Sequence, residues 1–105
     1  MQITTQDTLA DYEISETLGL VKGNTIRARH IGKDILAGFR SIVGGEVSEY
    51  TKMLAESREQ AIDRMIEDAK SKGAEGIVGM KFTTSAILQG SAELLAYGTA
   101  VNLQK

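Results

Sequence analysis

The stretch GGEVSEYTKMLAESREQAIDRMIEDAKSKGAEGIVG, residues 44–79, holds a long Pro-free helix between two glycine-rich boundaries. Tyr50, Met53, Leu54, Ser57, Ala61, Ile62, Met65, Ile66 and Ala69 fall on one stripe at helical spacing, while Lys52, Glu56, Glu59, Asp63, Glu67 and Lys70 fall on the opposite one. Ser48 suits the N-cap and Glu49 the positive end of the helix dipole. Lys70 and Lys72 suit its negative end, and Gly73 the left-handed position that stops it. Gly73, Gly76 and Gly79 imitate a phosphate-binding run in the wrong order. They follow a helix and enter a strand, whereas dinucleotide and P-loop fingerprints follow a strand and enter a helix. Gly73 therefore reads as a helix stop, and Gly76 and Gly79 as points of close packing or a bulge.

Two β-type runs follow, Gly76 to Leu88 and Ala92 to Leu103, joined at Gln89-Gly90-Ser91 by a hairpin turn. On the N-terminal side of the helix, Ile31, Ile35, Leu36, Phe39, Ile42 and Val43 recur at helical spacing and predict a shorter helix that stops at Gly44-Gly45. Before it, Tyr12 to Ile26 reads as a strand with a bend or tight turn at Gly19 and at Gly23-Asn24. Residues 1–11 are polar and read as an N-terminal arm, a candidate short edge strand. The order strand, helix, helix, strand, strand gives an α+β fold of two layers, one antiparallel sheet under one helical layer.

The chain has 105 residues, enough for one domain that buries about 65% of its unfolded surface. With 42% hydrophobic and 25% charged residues it has the composition of a soluble globular protein. No run is long enough to span a bilayer, and residues 1–10 lack the pattern of a signal peptide, so cytoplasmic residence is expected without a membrane partner. The absence of cysteine excludes disulfides, thiolate metal sites and cysteine nucleophiles. A net charge of −2 provides no basic field for nucleic acid.

The final strands carry a further message. Alternation predicts Val78, Met80 and Phe82 on one face and Ile77 and Lys81 on the other. In the last strand Leu94, Ala96 and Ala100 alternate with Leu95, Tyr97, Val101 and Leu103, so both of its faces are apolar. A half-solvated antiparallel strand should alternate with polar residues, and the two helices can cover one face only. A second copy of the chain is the simplest cover for the other, which predicts a homo-oligomer with Leu95, Tyr97, Thr99, Val101 and Leu103 at its interface.

Several blocks together resemble one family: Asp34-Ile35-Leu36-Ala37-Gly38, Val43-Gly44-Gly45-Glu46, Tyr50-Thr51-Lys52-Met53-Leu54, Glu56-Ser57-Arg58-Glu59-Gln60-Ala61, Lys72 to Gly79, and Ala96-Tyr97-Gly98-Thr99-Ala100-Val101. They are similar to the YbjQ-like family, also described as heavy-metal-binding domains; the resemblance covers nearly the whole chain and implies a single domain over residues 1–105. It implies a dodecin-like subunit with a three-stranded antiparallel sheet in the order 1-3-2. It also implies assembly into a ring, a pentamer, and it supplies no established biochemical function.

Candidate chemistry is sparse. His30, the one imidazole, would need carboxylates such as Asp34, Glu46 or Glu49, or its own symmetry copies, to hold a metal ion, and Arg27 and Arg29 beside it would repel a cation. Glu46 and Glu49 are too few oxygens for a hard cation by themselves and are read as acidic capping of a helix start. They have no third group behind them for acid–base work. Arg27, Arg29, Lys33 and Arg40 form a basic cluster read as a solvated face or interface salt bridges, while Met53, Met65 and Met80 belong to apolar stripes. No cofactor is indicated. The reading is thus a non-enzymatic ring-forming protein in which a small ligand or metal has a place only at the subunit interfaces or the central axis. The alternatives are a dedicated heavy-metal-binding protein and, behind it, a hydrolase or lyase using Glu46 or Glu49 with an arginine across an interface.

Overall fold

The computed structural model describes residues 1–27, 48–88 and 91–104, of which residues 27, 48–51, 53, 86–88 and 91 are described by their backbone alone. The short helix expected over 31–43 and the Gln89-Gly90 turn lie outside the described residues. Five elements are seen in chain order: β1 (Gln2–Ile3), β2 (Glu13–Arg27), α1 (Ser48–Ser71), β3 (Gly76–Leu88) and β4 (Ser91–Gln104). They form an α+β fold with one open four-stranded sheet in the order β1-β3-β4-β2. The expected three-stranded antiparallel sheet is thereby corrected to a mixed one. The polar arm contributes β1, which pairs parallel to β3 through Gln2 opposite Gly76 and Ile3 opposite Ile77. The three long strands form an antiparallel run, with β4 between β2 and β3. Among the described residues no helix is long and apolar enough to cross a membrane.

The helix packs on one face of the sheet through the stripe its sequence sets out. Ala61, Met65 and Ala69 are fully buried against Val21, Ile77, Met80, Ala96 and Ala100, with Leu18, Ile62, Ile66 and Ala74 around them. Small residues at the contact let the backbones approach. An alanine Cβ built at Gly23 would stand 2.2 Å from the Met65 nitrogen and 2.3 Å from the Ala61 oxygen, so the helix lies directly on this position. Gly23-Asn24, expected as a turn, is instead the interior of one continuous strand; its glycine serves close approach and not chain reversal. At the far end of α1, Gly73 has φ 74°. The Ala74 N–H donates to the Ala69 carbonyl and the Gly73 N–H to that of Lys70, the double bond of a Schellman stop.

A bulge in β3 changes which residues face the helix. Ile77 stands opposite Ala100 and Val78 opposite Thr99, but Lys81 is the residue opposite Tyr97, so Gly79 and Met80 together fill one step of the ladder. Ile77, Met80 and Phe82 therefore share the helix side, and Val78 and Lys81 share the other. The simple alternation that grouped Val78 with Met80 and Phe82, and Ile77 with Lys81, fails at this extra residue.

Candidate functional site

The sheet face away from the helix, called here the outer face, carries apolar side chains that stay exposed among the described residues. On β2 this face presents Ile14, Leu20 and Ile26, exposed to 38%, 61% and 55%. The register extends it across the sheet: Leu20 pairs with Thr99, Lys22 with Tyr97, Asn24 with Leu95 and Ile26 with Glu93. On the opposite side Val78, Lys81 and Thr83 pair with Thr99, Tyr97 and Leu95. Leu95, Tyr97 and Thr99 are half-buried. Tyr97 thus stands between two lysines in one cross-strand row, with apolar side chains in the rows on either side. Glu93 accepts a 2.9 Å hydrogen bond from the Asn24 amide and balances part of the positive charge.

The five residues expected at an interface all stand on this outer face. One end of it is closed within the subunit. Val101 is 1% and Val78 6% exposed, and the arm crosses here, bringing Leu9 alongside Gly76 and Leu103. Thr4 donates its N–H to the Ile77 carbonyl, while the Met80 and Gly79 N–H groups donate to the Thr4 and Gln6 carbonyls. Val101 is therefore covered inside the subunit, while Leu95, Tyr97, Thr99 and Leu103 are half-buried. Leu20 and Ile26 add to them. Sequence reasoning missed these two as outer-face residues because it read β2 as a broken strand and assigned it no faces.

The outer edge of β2 is held by two helix side chains. Asp68 accepts from the Lys22 N–H at 3.0 Å, Arg64 donates to the Asn24 carbonyl, and Lys72 pairs with Asp68 at 3.2 Å. The Lys22 N–H, with smaller help from Lys72, holds the Asp68 carboxyl below the usual carboxylate range against the opposing effect of its partial burial. A lowered folded-state pKa stabilises the fold above the unfolded value of about 3.9, and the contribution is lost as pH falls through the folded pKa. Asp68→Asn is therefore expected to cost about 1 kcal/mol at pH 7. Denaturant melts at pH 7 and in the acid range should show the difference from wild type shrinking as pH falls.

The arrangement of the metal candidates falls outside the described residues. His30, Asp34 and Glu46 lie outside the described residues, as do Arg29, Lys33 and Arg40, and Glu49 is described by backbone alone. Among the described residues no group of three or more His, Cys, Asp or Glu side chains could hold a metal ion. A shallow open depression on α1 is lined by Ala55, Glu56, Glu59, Gln60 and Asp63.

A family model described as "Putative heavy-metal-binding" matches residues 1–104. The chain belongs to the YbjQ-like family. Its YbjQ-like relatives include a UPF0145 protein of Methanococcus vannielii, 58% identical over 105 residues that are the whole of both chains. Another, from Archaeoglobus fulgidus, is 57% identical over 102 residues, 97% of this chain and 94% of that one. The YbjQ-like fold is also similar to the crystal structure of a protein of unknown function from Pediococcus pentosaceus, assigned to the DUF74 family. The TM-score is 0.64 at 19% identity, covering 99% of this chain and 98% of that one. That likeness concerns the fold alone.

Proposed function

We propose that this YbjQ-like chain is a self-assembling subunit, non-enzymatic in itself, whose outer sheet face is covered by other copies in a closed ring. The observation that carries the reading is the exposure of Leu20 and Ile26 beside Leu95 and Tyr97, on the part of the face that the N-terminal arm does not cover. Contiguous apolar surface of this kind marks interaction sites.

The family resemblance supplies the number five; the pattern of the face supplies only the need for a partner. A small ligand or metal, if carried, belongs in this reading at the subunit contacts, and a heavy-metal site would have to draw on donors outside the described residues. The carboxylate of Asp68 is engaged in holding a strand edge, which is a structural employment.

Because the chain has no cysteine, a single introduced thiol reports burial cleanly. In the Leu20→Cys variant the thiol is expected to react with a maleimide at least about tenfold more slowly than the thiol in Glu67→Cys, at the exposed side of α1. Equal rates would remove the outer face from the interface.

A further inference from the structure

Along β4 the outer face presents Glu93, Leu95, Tyr97 and Thr99, one residue to each cross-strand row. In the Tyr97 row the register sets a lysine on either side, Lys22 on β2 and Lys81 on β3. Both lysines are exposed and Tyr97 is half-buried between them. Adjacent strands lie about 4.8 Å apart, so the two lysine stems start about 10 Å from each other. Each stem is a flexible four-carbon chain, long enough to bring the two ammonium groups together above Tyr97.

The charge of this row is not balanced. Among the described residues the ion pair is that of Lys72 with Asp68, and neither Lys22 nor Lys81 forms one. Asp68 is held first by the Lys22 N–H and feels the Lys22 ammonium least of its influences; it is bonded to Lys72 as well. Glu93 stands two rows from Tyr97 and accepts from the Asn24 amide. Asp7 on the arm comes within 3.9 Å of where a Cβ at Gly79 would stand, without pairing to Lys81. The neighbouring rows add the hydroxyls of Thr83 and Thr99. Ammonium groups only donate, and hydroxyls can donate, so the patch is suited to an anion rich in accepting oxygens. A phosphate monoester brings a charge of about −1.5 to −2 at neutral pH and three acceptor oxygens, which match two ammonium groups. A nucleic-acid strand would need a longer basic track than two lysines in a chain of net charge −2.

We propose that Lys22, Tyr97 and Lys81 form a binding site for a phosphate group, free or carried by a small organic ester. Both ammonium groups and the Tyr97 hydroxyl donate to its oxygens. Leu20 and Leu95, in the rows on either side, offer an apolar seat for the organic part of an ester. All three binding side chains belong to one chain, so the inference goes beyond the self-assembly reading and does not rest on it.

Calorimetric titration of the wild-type protein with inorganic phosphate and, separately, with phenyl phosphate tests the site, in a buffer free of other multivalent anions. Saturable binding of one phosphate per chain in the millimolar range or tighter is expected. Lys22→Gln and Lys81→Gln should each weaken it at least about tenfold, while Lys70→Gln, at the exposed side of α1, should leave it unchanged. Tighter binding of phenyl phosphate assigns the site to an ester, and equal binding assigns it to the free ion. Sedimentation velocity on the same samples reads assembly separately. Absence of saturable binding, or binding that survives both glutamine substitutions, would overturn the phosphate site and leave self-assembly intact. A monomeric wild type that binds phosphate through these lysines would uphold the site and overturn assembly alone.

Discussion

The Gly23→Ala variant is expected to lose about 3 kcal/mol of folding stability, a fall in Tm of about 12 °C or more. The atoms facing the new methyl are the reason. At Gly23 it would stand 2.2, 2.3 and 2.7 Å from the Met65 nitrogen, the Ala61 oxygen and the Arg64 carbonyl carbon, all backbone atoms of α1. A flexible side chain could rotate aside, but a helix backbone has to move as a unit. Lifting it would loosen Met65 and Ala61 from Val21 and Ala96 and would pull Arg64 and Asp68 away from the β2 edge. Thermal melts of the two proteins measure the effect, and a variant with the Tm of wild type would show that the helix does not sit where it is described.

Leu20→Glu should have the largest effect on assembly, weakening association by at least about 100-fold, or about 2.7 kcal/mol. Its effect on the subunit should be slight. Leu20 is 61% exposed within the chain, and substitutions at such positions usually change stability by less than about 0.5 kcal/mol. The loss arises when a partner covers the face, because the carboxylate replaces an apolar contact and must be desolvated, a cost that Lys22 on the same face offsets only in part. Sedimentation velocity reads the association and circular dichroism the fold. A Leu20→Glu variant that sediments as wild type does would exclude Leu20 from any contact.

Positions 20 and 23, three residues apart on one strand, differ in how far the sequence reveals them, and the same contrast runs through the fold. Helix α1 is readable because cap, stripe and stop agree: Ser48, the Ala61-Met65-Ala69 line and Gly73 each point to the same element. The interface candidates on β4 are readable from period-two alternation, since that central strand runs without a bulge of its own in the residues concerned. β3 is not, because one extra residue at Gly79-Met80 exchanges the faces of everything on one side of it relative to the other. Gly23-Asn24 has the composition of a turn, and only the helix backbone lying above it reveals why a glycine stands inside a strand. The parallel pairing of the arm has no local signal at all; Gln2 and Ile3 find Gly76 and Ile77 far along the chain, and nothing in so short a strand announces its partner. Leu20 and Ile26 become visible as a surface only once β2 is seen to be unbroken. The metal candidates His30 and Glu46 rest on the sequence alone, since both lie outside the described residues.

If the outer face exists to meet other copies of this chain, the wild-type protein cannot remain a single subunit in solution. Native mass spectrometry at neutral pH tests this most directly, because the subunit mass of 11.3 kDa makes each added copy unmistakable. The expected result is a closed assembly of several subunits, five being the number the family resemblance implies. A single subunit as the sole species at micromolar concentration would contradict it.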